Sequence, residues 1–282
     1  MKILKEILDI TIAHSPDSDD AFMFYALANH VFDTAPYRFH HELRDIQTLN
    51  KWAFDGKYEV SAISIHAFAY LSEKYALMNS GASMGDGYGP KIIARKNITL
   101  NELKNVKIAV PGEFTTAYLA LKILEPKVQT KNVQFDKIMD SVLDGKYDAG
   151  VIIHEGQLTY ADQSFVQILD LGEWWMEQEN LPLPLGGNVI RRDLGEKVMN
   201  DVADWIKKSI EFSLEHREKG LDYAMKYAGG LSRDLADRFV GMYVNEWTVD
   251  WTDRGRKAVQ RLLDRGFEAG VIPQKIDVEF IG

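Results

Sequence analysis

The sequence predicts an α/β protein of two lobes, with mixed, mainly parallel sheets, helices on both faces and a helical C-terminal third. Three observations carry this. Strand-like and helix-like segments alternate through the first two-thirds, the rhythm of parallel sheets covered by helices. From Leu194 onward the pattern is almost wholly amphipathic helix. A unit also recurs: "FDGKYEVSAIS" (54–64) and "LDGKYDAGVII" (143–153) both read as helix end, Asp-Gly-Lys-Tyr, acidic residue, apolar strand. A glycine that ends a helix before a strand is common chemistry, so the echo can arise by chance. Taken as one unit per lobe, it sets the strand ends at Ser64 and His154 face to face across a crevice, where open parallel sheets bind ligands.

The elements follow in order. "LDITIA" (8–13) alternates with period two and reads as a strand. "DDAFMFYALANHVF" (19–32) is nearly continuously apolar and reads as one buried helix capped by the acidic residues before it. "YRFHHEL" (37–43) is a strand and "DIQTLNKWAF" (45–54) a helix stopped by Gly56. "YEVSAIS" (58–64), "KIIARK" (91–96), "KIAV" (107–110) and "AGVII" (149–153) read as strands. Four glycines and a proline make "GASMGDGYGP" (81–90) a flexible crossing between lobes. Trp174 and Trp175 belong in the core, or over a flat ring if their helix borders the cleft. No long linker occurs, so short crossings join the lobes. The expected borders are 1–91 with 192–282 for the large lobe and 92–191 for the small one, with the ligand cleft between them.

Composition narrows the function. The 282 residues are 46% hydrophobic and 27% charged, with no cysteine, which removes disulfides, thiolate nucleophiles and cysteine-ligated zinc. A net charge of -9 argues against nucleic acid or an anionic membrane as partner. Glu6 and Asp9 interrupt the apolar opening stretch, and no run approaches the ~18 apolar residues of a membrane span. The expected location is the cytoplasm.

Candidate chemistry is sparse, because G-x-S-x-G, G-x-x-x-x-G-K-[ST], H-E-x-x-H and a helix-opening G-x-G-x-x-G are all missing. "HEGQLT" begins like a zinc motif, but Leu158 stands where the second histidine belongs. His154 therefore reads as a hydrogen-bonded structural group or as an acid–base residue needing no metal. In "SPDSDDAF" (15–22) an EF-hand fails, since Phe22 and Ala28 occupy its glycine and glutamate places. The turn reads as a helix start capped by Asp17, Ser18 or Asp19. "AVPGEFTTAYLAL" (109–121) is a strand, a Pro-Gly turn and a helix opening near Thr115 and Thr116, either simply capped or offering N–H donors to an anion.

Taken together, "TLNKWA" (48–53), "GYGP" (87–90), "AVPG" with "TTAY" (109–118), "VIIHE" with "TY" (151–160), "LDLGEWW" (169–175), "LPLPLG" (181–186), "RRDLG" (191–195) and "YVN" (243–245) carry a specific likeness. The chain resembles the 1,4-dihydroxy-6-naphthoate synthase family of the futalosine route to menaquinone, over almost its whole length. The resemblance implies a two-lobed type II periplasmic-binding-protein fold. It implies a carbon–carbon lyase that converts cyclic dehypoxanthine futalosine to 1,4-dihydroxy-6-naphthoate without metal or organic cofactor. The family's proton acceptor falls on His154, with Glu155 expected to orient that segment. The substrate-lining stretches fall on Ala62, Ile63 and Ser64 in one lobe and on Thr116 and Ala117 in the other. The partner implied is a small molecule bearing a carboxylate, and a homodimer is the base-rate expectation. One motif departs: the family's S-P-C-P-N-D-T-F is here Ser15-Pro16-Asp17-Ser18-Asp19-Asp20-Ala21-Phe22, which adds acid where a substrate carboxylate would be disfavoured. The alternatives on the same scaffold are a solute-binding protein or ligand sensor without catalysis, and an inactive paralogue.

Overall fold

The computed structural model describes residues 7–282; Glu6 and the start of the apolar opening stretch lie outside the described residues. The strands are β1 (Leu8–His14), β2 (Tyr37–Leu43), β3 (Val60–Ser64), β4 (Tyr75–Met78), β5 (Ser83–Gly85), β6 (Lys91–Ala94), β7 (Lys107–Val110), β8 (Gln129–Asn132), β9 (Ala149–Ile152), β10 (Val166–Asp170), β11 (Leu183–Arg191) and β12 (Phe280–Ile281). The helices of the first half are α1 (Ser18–Met23), α2 (Tyr25–Ala28), α3 (Ile46–Phe54), α4 (Ile65–Phe68) and α5 (Thr116–Leu124). Then come α6 (Ile138–Leu143), α7 (Gly156–Thr159) and α8 (Leu171–Glu179). The last third holds α9 (Glu196–Glu215), α10 (Arg217–Ala224), α11 (Arg233–Tyr243), α12 (Glu246–Val249) and α13 (Thr252–Glu268).

Two sheets result. The larger runs β12-β4-β11-β3-β1-β2 with β5 paired to β11, and the smaller runs β10-β6-β9-β7-β8. Both are mixed. The βαβ units supply the parallel pairs β1–β2, β1–β3, β7–β8 and β7–β9. β6 and β11 run antiparallel to β9 and β3 respectively. Each follows a crossing between the sheets, so each starts at the side where its neighbours end. β11 also corrects the expected border: residues 183–191 were assigned to the smaller lobe, but they pair with β3, β4 and β5 of the larger sheet. The crossing at 81–90 is shorter than expected as well, since β5 lies within it.

The repeated Asp-Gly-Lys-Tyr unit is real in geometry. Gly56 and Gly145 both stand just past helix ends, at φ +66 and +72, the left-handed region where a Cβ is costly. Each then leads into a fully buried strand, β3 or β9.

The segment 19–32 differs from the expected single helix. It breaks at Phe24, whose ring packs 4.7 Å from His14, and stops at Ala28. Asn29 bonds back to the Tyr25 carbonyl and His30 turns left-handed at φ +52. Trp175 is wholly buried, donating to the Pro182 carbonyl, so the tryptophan pair belongs to the core.

One hydrophobic cluster spans both sheets. It joins Ile63, Leu77 and Leu262 from the larger side to Ile108, Leu119 and Val151 from the smaller. Each such side chain stabilises by ~1.5–3 kcal/mol when removed from water. A second cluster packs α1, α2 and α9 to α11 on the other face of the larger sheet. Among the described residues, no helix is long and apolar enough to cross a membrane.

Candidate functional site

β1, β3 and β9 end at one cavity of about 130 Å³, lined among others by Ser15, Ser64 and Ile153. The turn after β7 brings Thr115, Thr116 and Ala117 to the same space, and β11 passes Leu185 to Asn188 along it. The α1 turn supplies Asp17, Asp19 and Asp20, and α11 supplies Phe239 and Tyr243. All five expected substrate-lining residues, Ala62, Ile63, Ser64, Thr116 and Ala117, thus border one cavity.

The β3 end is held from a distance. Asn50, fully buried on α3, accepts the Ser64 N–H at Oδ1 (2.9 Å) and donates to Ser64 Oγ (3.1 Å). The same amide reaches the Phe114 carbonyl at 3.4 Å, while Gln47 Oε1 accepts the Phe114 N–H at 3.3 Å. Helix α3 therefore positions both the β3 end and the turn before α5. Gly112 permits this approach: a Cβ there would lie 2.1 Å from Gln47 Oε1.

Helix α5 is capped by Thr115, whose hydroxyl accepts from the Tyr118 N–H and donates to the Gly112 carbonyl. The next two N–H groups, of Thr116 and Ala117, have no hydrogen-bond partner among the described residues and sit at the cavity. They form a positive end. The Thr116 hydroxyl is not part of it. That hydroxyl, 2% exposed, donates to the Leu185 carbonyl at 2.6 Å and accepts the His66 N–H at 3.3 Å.

His154 follows β9 as expected, yet it does not line the cavity; its neighbours Ile153 and Gln157 do. The Gly156 N–H donates to Nδ1 at 2.8 Å, which puts the proton on Nε2, and Nε2 donates to the Phe135 carbonyl at 3.1 Å. Phe135 also meets the ring edge-on, centroids 5.2 Å apart. Burial pushes its pKa below the usual imidazole value, partly offset by Glu155. Both nitrogens are occupied in this arrangement.

The α1 part of the lining is acidic. Ser15 N–H donates to Asp20 Oδ2 (2.7 Å) and Ser15 Oγ to Asp17 Oδ2 (3.0 Å). Asp17 caps α1 by position but not by a side-chain hydrogen bond. Burial, then Glu155 and Asp20, push its carboxyl up to about 7. Asp19 is raised well above the carboxylate range by burial, then by Asp20 and Asp17. No lysine or arginine lines the cavity, and among the described residues no group of three or more His, Asp or Glu is set to hold a metal ion. Two contacts join α1 and α11 to the segment after β9: Ser18 Oγ to Glu155 at 3.4 Å, and Tyr243 OH to Gln157 Oε1 at 3.1 Å.

Sequence reasoning missed Asn50, Gln157, Asn188 and Tyr243. Asn50 and Tyr243 stood inside the quoted "TLNKWA" and "YVN" stretches, which was the available signal.

Comparison with known proteins agrees with this architecture. A profile of the family described as "Menaquinone biosynthesis" matches residues 10–268. A Thermus thermophilus protein named 1,4-dihydroxy-6-naphtoate synthase is 37% identical over 90% of this chain and 92% of its own. A Streptomyces coelicolor protein of the same name is 33% identical over 94% and 95%. Among solved structures, one of an Archaeoglobus fulgidus protein superposes with TM-score 0.90 at 45% identity, covering 94% of this chain and 98% of that one. A Candida albicans protein of the generic periplasmic-binding-protein fold superposes with TM-score 0.64 at 12% identity, covering 98% and 99%, which concerns the fold alone.

Proposed function

This chain belongs to the menaquinone-biosynthesis family, and on that premise we propose that it is a lyase forming 1,4-dihydroxy-6-naphthoate from cyclic dehypoxanthine futalosine. The observation that carries the reading is the cavity itself: five residues expected to meet substrate, drawn from two separate stretches, border one space with two open N–H donors. Those donors suit an aromatic carboxylate. His154 is the proton acceptor in this reading, and its geometry states the condition for that role. With Nδ1 accepting from Gly156 and the proton on Nε2, no lone pair faces substrate. The turn after β9 must release the Gly156 N–H, which frees the Nδ1 lone pair, and swing the ring inward when substrate fills the cleft.

The test is turnover of the cyclic compound by the purified protein, followed by its aromatic product. His154→Asn should lower the rate on the order of 10²–10⁴-fold with product affinity largely kept. A near wild-type rate in that variant rejects His154 as the base, and no turnover by the wild type rejects the lyase reading. The occupied imidazole is also what a binding protein or sensor without catalysis would show, and the same assay separates the two.

A further inference from the structure

His154 is gripped by the turn that it begins. The Gly156 N–H donates to its Nδ1 and the Gln157 N–H to its carbonyl, both at 2.8 Å. Gly156 fits there because it has no side chain: a Cβ would stand 2.7 Å from His154 Cε1. The Gln157 side chain then fixes the far side of the turn. It is buried, and its Oε1 accepts from the Tyr243 hydroxyl at 3.1 Å. Tyr243 ends α11, which packs on the larger sheet, whereas the turn follows β9 of the smaller one, so this bond crosses between the lobes. The Tyr243 ring is buried too, edge-on to Tyr88 of the 81–90 crossing (centroids 6.0 Å) and to Phe239 (5.1 Å). Burial pushes its phenol pKa above the usual value, so the hydroxyl keeps its proton and donates. Gln157 and Tyr243 both line the cavity.

We propose that Tyr243 is a positioning residue whose hydroxyl, acting through Gln157, latches the turn that locks His154, and that a ligand entering the cavity opens this latch. His154 gains a free lone pair only when the Gly156 N–H lets go of Nδ1. Gly156 and Gln157 are consecutive, so unwinding the turn moves Gln157, and the bond to α11 opposes that movement. A ligand oxygen in the cavity competes for the Tyr243 O–H, and losing that donor frees the Gln157 side chain and then the turn. The imidazole is therefore released in the filled cavity and held in the empty one. The proposal rests on the lyase reading only for the role of His154 as base; the latch itself is a property of the free protein.

Tyr243→Phe tests it, since this change removes one oxygen and keeps the ring against Tyr88 and Phe239. In protein with isotope-labelled histidine, the ring-nitrogen NMR signals of His154 are assigned by their loss in His154→Asn. Ligand-free wild type should show one protonated and one bare nitrogen. Ligand-free Tyr243→Phe should draw the two signals together, as the freed ring exchanges tautomers. Its Gly156 amide should exchange hydrogen about tenfold faster or more, with Val151 in β9 unchanged. Gln157→Met should reproduce both effects, and the double variant should add nothing to either single one. Wild type saturated with 1,4-dihydroxy-6-naphthoate should resemble ligand-free Tyr243→Phe. Wild-type signals and exchange in the variants, or effects that add, overturn the latch. So does faster exchange that includes Val151, which marks a merely destabilised fold. Locked signals with naphthoate bound overturn its opening by ligand. If naphthoate does not bind, the lyase reading falls and the ligand-free comparison still decides the latch; if His154→Asn keeps the wild-type rate, the base assignment alone falls.

Discussion

At the scale of single residues, the Thr116 hydroxyl ties β11 to the N-terminus of α4, through the Leu185 carbonyl and the His66 N–H. Thr116→Val should therefore cost stability rather than affinity. Two buried backbone groups lose a partner, a loss of about 1–3 kcal/mol by chemical denaturation, while product binding through the N–H groups stays within twofold. A tenfold loss of affinity at unchanged stability would mean that the hydroxyl faces the ligand after all. Asp17 makes a prediction of opposite sign. Its folded-state pKa, about 7 against 3.8, means that the folded protein holds a proton the unfolded chain has released. Stability from this group is thus present below pH ~4 and declines as pH rises to ~7. Asp17→Asn, which can still accept from Ser15, should change little at pH 4 and raise stability by on the order of 1–3 kcal/mol at pH 8. Melting curves across that range check it; an equal gain at both pH values would contradict it.

Among the elements, α3, α5, β3 and β9 were legible because each is marked by local chemistry. Asp45 and Thr115 accept from the N–H groups of Thr48 and Tyr118, as cap residues do. Gly56 and Gly145 end the preceding helices. What stayed illegible depends on partners remote in sequence. The β3 and β4 partners of β11 lie more than a hundred residues upstream, so its sheet could not be read. Phe24, where the helix breaks, packs on His14, a contact that no local pattern announces. His154 was placed to the right strand end, yet the Gly156 N–H, two residues on, turns its ring away. Asn50 grips Ser64 across fourteen residues, with no periodicity to announce it. Asn50→Leu should accordingly release the β3 end. We expect the Ser64 amide to exchange faster by hydrogen–deuterium exchange, with β7 unaffected. Unchanged protection at Ser64 would show that the sheet alone holds it.

Across the whole molecule, a cavity of about 130 Å³ is smaller than the 300–1,000 Å³ usual for small-molecule sites. Ser18 on Glu155 and Tyr243 on Gln157 tie α1 and α11 to the segment after β9. One apolar cluster is shared by both sheets, so opening pivots about that packed side and widens the cleft away from it. Because the chain has no cysteine, spin labels can be placed cleanly at Lys137→Cys and Arg238→Cys, both exposed and one on each side. The ligand-free protein should show a broader, longer distance distribution that narrows and shortens with product. Identical distributions would mean a rigid cleft.

The two sheets also differ in how the chain supplies them. All five strands of the smaller come from one unbroken stretch, Lys91 to Asp170, whereas the larger needs β11 to return to β3, pairing Gly186 with Ser64. Closing that long loop is entropically dear before any contact rewards it, and it becomes cheaper once the intervening stretch is already compact. The smaller sheet is therefore the natural first-folding unit and the larger sheet the late step. A nascent or refolding chain would pass through a stage in which β1, β2 and β3 are formed but their β11 edge is bare, the interval when this protein is most open to aggregation and to capture by chaperones.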